Sequence, residues 1–506
     1  MTTIKFGTDG WRAIIADEYT LENVARVADA TAQWLLKTGN EPKVVIGYDT
    51  RFGGKLFAET TAMILCDQGI KVFLSKGFVS TPMVSLGTVR QKADLGIVIT
   101  ASHNPPSYNG FKLKGAYGGP LLPEKIEEIE KLIPKRNPYK LGDLTLKEFT
   151  DSGMLEYIDL ETMYCEHIAS NFDLDLIRRS PLKFGYDAMF GAGQNVISRI
   201  LPDTALLHCE NNPSFNGQAP EPIHKNLQEF STLIKRSGII DCGLATDGDA
   251  DRIGLYDHEG NFVDSNHIML LLIKYLCEVK GIEGKVVTSF SVSPKIERMC
   301  EHFGLEHQVT KIGFKHIAGI MVAEDVLIGG EESGGIAIKG HIPERDGIWI
   351  GLTIWEYIAA SGKSLQELIK DVYAIVGPFS FERSDLHLQE TVKNKIINNC
   401  KKNAYKNFGE YEVVKTEDLD GYKYYFSNEE WLLIRASGTE PVLRNYAESG
   451  SKKRTLAILK AVEETLLYDA QGKPKSKNGR ISKEIKTTAL GMPSENMDVT
   501  PGEVSI

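Results

Sequence analysis

Apolar positions in the first part of the chain recur with two different periods. Val24, Val27, Ala28, Ala32 and Leu35 return at helical spacing between Leu21 and Leu36, and the branched run of KVVIGYD follows Pro42. The first pattern predicts an amphipathic helix and the second a buried strand. A helix over Leu56 to Gln68, strands at IKVFL and Leu95 to Ile99, and a helix over Lys125 to Leu132 come next. Alternation of strand and helix with short connections predicts an α/β domain with a mixed sheet covered by helices. The polar, Pro- and Gly-punctuated stretch Lys135 to Lys147 closes it, giving a first domain over 1–150.

The same grammar returns twice. A helical pattern around Met154 to Ile168, strands at LKFGYDAM and CGLATD, a helix opened by Gly191-Ala192-Gly193, and a hairpin at Gly260 outline a second domain over 151–262. A strongly apolar helix, HIMLLLIKYLCEV, begins a third over 263–376, followed by VVTSFS, PKIERMCEHF and VLIGG. No short fixed period is present, so three related layered units are expected rather than a solenoid. From about Pro378 the pattern becomes a helix over Glu390 to Lys402, antiparallel alternation with Asp420-Gly421 as a turn, and a closing helix over Lys453 to Leu467. That is a smaller α+β domain over 377–470. Residues 471–506 are poor in large apolar side chains and read as a flexible or surface-draped tail.

Composition changes this picture little. The 506 residues are 42% hydrophobic and 25% charged, as in ordinary globular chains, and the net charge of -10 argues against a nucleic-acid-binding surface. Seven cysteines stand singly with no CxxC pair, so a zinc site and a disulfide framework are not expected and reduced thiols in a cytosol are. The opening MTTIKFGTDGWR lacks the features of an export signal, and no apolar run reaches the roughly 18 residues a membrane helix needs. No membrane partner is expected, and monomer and homodimer stay equally open.

Candidate chemistry gathers in loops. The stretch DLGIVITASHNPPSYNGFKL delivers Ser102 beyond the carboxyl end of a buried strand, where open sheets place their chemistry. Pro105, Pro106 and Asn109-Gly110 are expected to hold that loop in turns, with Lys112 following. Ser102 and Asn104 could simply brace a turn. A hydrolase nucleophile is disfavoured because GxSxG is absent and because His103, as an adjacent residue, should point away from Ser102.

TDGDADR sets Asp247, Asp249 and Asp251 two apart, on one side of an extended loop, which is tolerable around a cation. Oxygen ligands select Mg²⁺ or Ca²⁺, and the calcium-hand glycine and glutamate are replaced by Arg252 and His258, leaving Mg²⁺; an acidic surface turn is the alternative. RASGTEPVLRNYAES offers donors from Ser437, Gly438 and Thr439 between Arg435 and Arg444, a grip for a phosphate monoester. GGEESGG exposes Glu331, Glu332 and Ser333, which would accept from sugar hydroxyls or form only a flexible acidic loop. TKIGFKHI adds Lys311, Gly313 and Lys315, and FGTDGWR adds Arg12.

TASHNP, DGDADR, GGEESGG and RASGTEP in that order resemble the α-D-phosphohexomutase family, the phosphoglucomutases and phosphomannomutases, over nearly the whole chain. The resemblance implies four domains around a central cleft, three of related α/β topology and a fourth α+β domain closing over the substrate. It puts a phosphoserine at Ser102 and Mg²⁺ on Asp247, Asp249, Asp251 and the Ser102 phosphate. Glu331 and Ser333 would meet the sugar, and the Arg435 to Arg444 loop its phosphate. Ser102 would pass its phosphoryl group to a sugar hydroxyl, forming a hexose 1,6-bisphosphate that turns round and returns the other one. Arg12 and Arg252 would steady charge, and Lys112, with a pKa lowered by nearby cations, or His103 would act as base. The EES core and GFK resemble glucose-preferring members; mannose or dual use comes second, Gln in place of Glu332 being the aminosugar pattern. Gly335 stands where some relatives have His. A non-catalytic hexose-phosphate binder is the alternative of a different class, against which Ser102, the aspartates and Lys112 speak.

Overall fold

The computed structural model describes residues 3–7, 9–39, 41–427, 429–436 and 442–471; the expected tail from 472 onward lies outside the described residues. The chain divides into two compact units between Gly377 and Pro378.

The first unit is built on three sheets. In the first, β1 (Trp11–Ile14), β2 (Lys43–Tyr48), β3 (Lys71–Ser75), β4 (Leu95–Ile99), β5 (Tyr108–Gly115) and β6 (Leu155–Ile158) lie in the order β1-β5-β4-β2-β3-β6. Strands β4, β2, β3 and β6 run parallel, while β5 is antiparallel to both β4 and β1. Helices α1 (Leu21–Thr38), α2 (Gly54–Asp67) and α3 (Thr81–Arg90) accompany them. Every residue of β4 is buried, which is why its sequence is apolar without alternation. Val44, Ile46, Val72, Leu95, Ile97 and Ile99 are fully buried in one core, each burial stabilising by about 1.5–3 kcal/mol.

Two expectations are corrected here. Asn109-Gly110 is not a turn: both residues lie in β5, facing Ala13 and Arg12 of β1. Gly110 serves close approach instead, since a Cβ there would sit 2.5 Å from Thr100 O. The helix read from Met154 is interrupted by β6, which pairs with β3 and joins the first sheet, so the helix starts only at Leu160. The alternation of Leu155 and Ile158, buried, with Glu156 and Tyr157, exposed, fits one helical turn as well as a four-residue edge strand.

The second sheet has β7 (Phe184–Asp187), β8 (Ala205–Leu207), β9 (Cys242–Thr246), β10 (Ile253–Asp257) and β11 (Phe262–Val263) in the order β11-β10-β9-β7-β8. The third has β12 (Lys285–Ser289), β13 (His307–Thr310), β14 (Val326–Gly330) and β15 (Ile336–Ile338) in the order β13-β12-β14-β15. In all three sheets one parallel strand turns back through an antiparallel hairpin: β4 into β5, β9 into β10, β14 into β15. The loops so formed, 100–107, 247–252 and 331–335, carry Ser102, the aspartate triplet and Glu331. Helix Ser265–Lys274 is buried throughout, which accounts for the apolar run IMLLLI within it.

In the second unit, β16 (Ser380–His387), β19 (Lys415–Glu417), β20 (Tyr422–Tyr425), β21 (Trp431–Ala436) and β22 (Val442–Ser449) form an antiparallel sheet ordered β16-β22-β21-β20-β19. The strands β17 (Asn407–Phe408) and β18 (Tyr411–Glu412) make a separate ribbon. Leu432, Ile434, Leu443 and Ala447 share a core with Ile458 and Val462 of helix Lys452–Gln471.

Candidate active site

Ser102 adopts φ +53°, a left-handed conformation unusual for serine. Its three polar groups are all engaged: N–H donates to Thr100 Oγ1 at 2.8 Å, the carbonyl accepts from Arg51 Nη2 at 2.6 Å, and Oγ donates to Asp247 Oδ2 at 2.8 Å. Arg51 also donates to the carbonyls of Asn104, Pro105 and Tyr108, and its charge meets Asp49 at 3.2 Å. One guanidinium thus shapes the whole loop. The bend has a further effect: His103 Nδ1 lies 3.2 Å from Ser102 Oγ. The expectation that neighbours point apart holds for extended backbone and fails at a left-handed residue.

Asp247, Asp249 and Asp251 are fully buried, with ligand oxygens within 4.8 Å of one another. Their convergence does not come from an extended loop. Ala250 takes φ +55° and donates its N–H to Asp247 O at 3.0 Å, folding the loop so that the three carboxylates meet. Asp247 Oδ1 accepts the N–H groups of Asp251 and Arg252 at 2.9 and 3.0 Å. Gly248 lets the loop reach Ser102, whose carbonyl oxygen would be 2.6 Å from any Cβ there. Two carboxylate oxygens, Asp249 Oδ1 and Asp251 Oδ1, are buried with no hydrogen-bond partner. Bare, acid, all-oxygen and clustered, this donor set fits a hard divalent cation.

Lys112 reaches into the cluster from β5, 2.7 Å from Asp249, 3.1 Å from Asp251 and 3.0 Å from Asp9. Its expected cationic neighbourhood is therefore corrected. Burial alone would lower its pKa, but Asp249, Asp251 and Asp9 outweigh burial and hold the ammonium above its ordinary value. As placed, Lys112 is a fixed charge. Burial and the other two aspartates push Asp247 well above the usual carboxylate range, whereas Lys112 and Thr81 overcome burial to hold Asp249 below it. Arg345 bridges Asp9 and Asp251, and Lys114 pairs with Glu344 at 2.7 Å. Arg12 donates to Asn104 Oδ1 at 2.7 Å and Arg252 faces Glu221 at 3.8 Å.

Glu331 is buried and accepts from Gly313 N at 2.8 Å, so the two loops predicted to meet the same ligand do touch. Glu332 turns to the hydroxyls of Ser289 and Ser291. Ser333 and Lys315 are half-buried and Lys311 is exposed. Burial and Glu332 push the Glu331 carboxyl up from 4.5 to about 7. The folded protein keeps that proton between the two values while the unfolded chain gives it up, so stability falls as pH rises through this window. Relative to Glu331→Gln, the wild type is expected to lose on the order of 3 kcal/mol from pH 4.5 to 7, measured by urea unfolding. Equal slopes for the two proteins would contradict it.

In the second unit, Arg435 and Arg444 are directly paired across β21 and β22. Like charges opposite each other destabilise a sheet, and an anion between them relieves that. Asp420 meets Arg435 at 3.3 Å, while Arg444 Nε is buried with no hydrogen-bond partner. Ser437, Gly438 and Thr439 lie outside the described residues.

Models of phosphoglucomutase/phosphomannomutase domains match in succession: domain I over residues 3–140, domain II over 162–260, domain III over 264–376 and the C-terminal domain over 396–465. The chain belongs to the phosphoglucomutase/phosphomannomutase family. Its members are phosphohexomutases, isomerase-class phosphotransferases, built as four α/β-type domains. The chain is 30% identical to the phosphoglucomutase/phosphomannomutase of Thermococcus kodakarensis, covering 91% of this chain and 99% of that one. It is 32% identical to the phosphoglucosamine mutase of Methanococcus maripaludis, covering 83% and 91% respectively. A solved structure from Thermus thermophilus, described as a candidate phosphomannomutase, superposes with a TM-score of 0.80 at 33% identity, covering 92% of this chain and 99% of that one.

Several residues that shape this cluster stand outside the candidates read from the sequence: Asp9, Asp49, Arg51, Thr81, Lys114, Glu344 and Arg345. Asp49 and Arg51 follow the carboxyl end of β2, the same topological position that singled out Ser102, so that signal was present. Thr81 gave none, since TP at the start of α3 is an ordinary helix opening.

Proposed function

We propose that the protein interconverts hexose 1-phosphate and hexose 6-phosphate through a phosphorylated Ser102 and a hexose 1,6-bisphosphate. The observation that carries this reading is the 2.8 Å contact between Ser102 Oγ and Asp247 Oδ2, at the edge of a carboxylate cluster with two bare buried oxygens. A structural hydroxyl has no need of such surroundings. Asp247, Asp249 and Asp251 would hold Mg²⁺, which when bound supplies charge neutralisation for the transferring phosphoryl oxygens.

In the forward step the bond from Ser102 Oγ to phosphorus breaks as a sugar hydroxyl forms the new one, and the proton of that hydroxyl must leave. In the return step Ser102 Oγ attacks the other phosphorus of the bisphosphate, the bond from that phosphorus to the sugar oxygen breaks and that oxygen takes up a proton, while the serine's own proton has two acceptors within reach, Asp247 Oδ2 at 2.8 Å and His103 Nδ1 at 3.2 Å. Lys112, Arg12 and Arg252 act as fixed positive charge. Glu331 and Ser333, with Gly313 hydrogen-bonded to Glu331 and with Lys311 and Lys315 of the same Gly313 loop, would take sugar hydroxyls, and in the second unit Arg435 and Arg444 would take a phosphate group. Seven free thiols suit a reducing compartment such as the cytoplasm. Among the described residues no helix is long and apolar enough to cross a membrane.

Glucose phosphate is the substrate we favour, on the EES core of 331–333. Glucosamine phosphate is the second reading, favoured by the 32% identity to a phosphoglucosamine mutase. Parallel rates on glucose, mannose and glucosamine 1-phosphates decide between them: the glucose reading requires the highest kcat/KM on glucose 1-phosphate. Treatment with EDTA should abolish turnover and Mg²⁺ should restore it. Activity unaffected by chelation would remove the metal assignment.

A further inference from the structure

The aspartates of the cluster are not held alike. Asp249 Oδ2 accepts from Thr81 Oγ1 at 2.6 Å and from Lys112 Nζ at 2.7 Å. Asp251 Oδ2 accepts from Arg345 Nη2 at 2.6 Å and from Lys112 Nζ at 3.1 Å. On both residues Oδ1 is left buried and bare. Two such oxygens side by side are costly unless a ligand meets them, so what fixes their direction matters.

Lys112 cannot do this alone, because an ammonium shared by two carboxylates is a point charge without preferred geometry. Thr81 is different. It opens α3, and its own N–H donates to Asp249 O at 3.0 Å, so amide and hydroxyl grip a single residue from two sides. Being neutral, the hydroxyl adds direction rather than charge. Arg345 does the equivalent for Asp251 while its guanidinium is anchored on Asp9. The first grip comes from the first sheet's helix layer and the second from the segment before helix Gly347–Ser361, whereas the gripped loop belongs to the second sheet.

We propose that Thr81 and Arg345 are positioning residues of the metal site: by occupying Oδ2 of Asp249 and Asp251 they aim Oδ1 of each at the cation and so set its affinity. This rests on the reading of the three aspartates as metal ligands. Partners of this kind behind metal ligands are worth roughly 10–100-fold in affinity.

The test is Mn²⁺ binding to the full-length protein, followed by the electron paramagnetic resonance signal of free Mn²⁺, with folding checked by circular dichroism. Thr81→Val keeps the side-chain shape and the backbone bond but removes the hydroxyl, and should weaken Mn²⁺ binding by about tenfold or more. Thr81→Ser should bring affinity back close to wild type, which a merely space-filling role would not require. Arg345→Lys, whose shorter side chain ends before the Nη2 position that meets both Asp9 and Asp251, should also weaken it and carries the test if Thr81→Val does not fold. Wild-type affinity in both Thr81→Val and Arg345→Lys, with binding lost in Asp249→Asn, overturns this inference alone. A wild-type protein that binds no Mn²⁺ overturns the metal reading and this inference with it.

Discussion

Ser102→Ala protein is expected to fold normally and to lose hexose phosphate turnover by roughly 10⁴-fold or more, the scale seen when an enzyme loses its nucleophile. Only Oγ is deleted. The loop keeps the bonds that shape it, since Thr100 Oγ1 still receives the N–H of residue 102 and Arg51 still binds its carbonyl. The left-handed backbone at this position is unusual for alanine and serine alike, so the change in stability should be small beside the change in rate. Steady-state rates on glucose 1-phosphate with Mg²⁺, together with mass spectrometry for phosphate on residue 102, check both halves. Turnover comparable with wild type would remove the phosphoserine mechanism. No turnover by the wild type on glucose, mannose or glucosamine phosphate would instead favour a binder.

The second large effect is expected at a residue that touches no reacting atom. Arg51→Met leaves Asp49 buried without its ion pair and four loop carbonyls without their donor. Breaking a buried pair by removing one partner costs about 3–5 kcal/mol, and here the loss falls on the loop that orients Ser102. Burial already pushes the Asp49 carboxyl up to about 6 against the pull of Arg51 and Thr100, so without the arginine it moves further toward the neutral form. Arg51→Lys should recover little, because a point charge cannot reach four carbonyls arranged around a planar fork. Thermal denaturation and kcat measured together test this. In a cycle with Asp49→Asn the double variant should be less destabilised than the sum of the singles, and strict additivity would contradict the pairing.

What the sequence revealed depended on whether each feature was local. The Leu95–Ile99 strand, the helix at Leu21 and the hairpin at Gly260 were legible because periodicity and turn chemistry are properties of neighbouring residues. Ser102 and the aspartate triplet stood out because a hydroxyl and repeated carboxylates just past apolar runs are chemically conspicuous. Asn109-Gly110 misled because the pair that favours a turn also suits a strand squeezed between two others. His103 and Lys112 depended on what the sequence pattern does not display: a left-handed bend in one case, and carboxylates 137 and 139 residues away in the other. Thr81 and Arg345 belonged to no motif, and only the packing of separate sheets gives them a role.

The hairpin that recurs in all three sheets of the first unit also sets how freely each loop can be redesigned. The Ser102 hairpin is locked, because β5 has β4 on one side and β1 on the other, and any shift in its register disturbs a six-stranded sheet. The Glu331 hairpin ends in β15, three residues long and at a sheet margin, so insertions or swaps there disrupt few pairings. Libraries randomised over 331–335 should therefore yield more folded clones than libraries over 100–107 only where Gly334 and Gly335 are kept, because a Cβ at the first would meet Ile253 O at 2.6 Å and at the second Arg345 Cδ at 2.5 Å, so tolerance to change is confined to the tip of one hairpin.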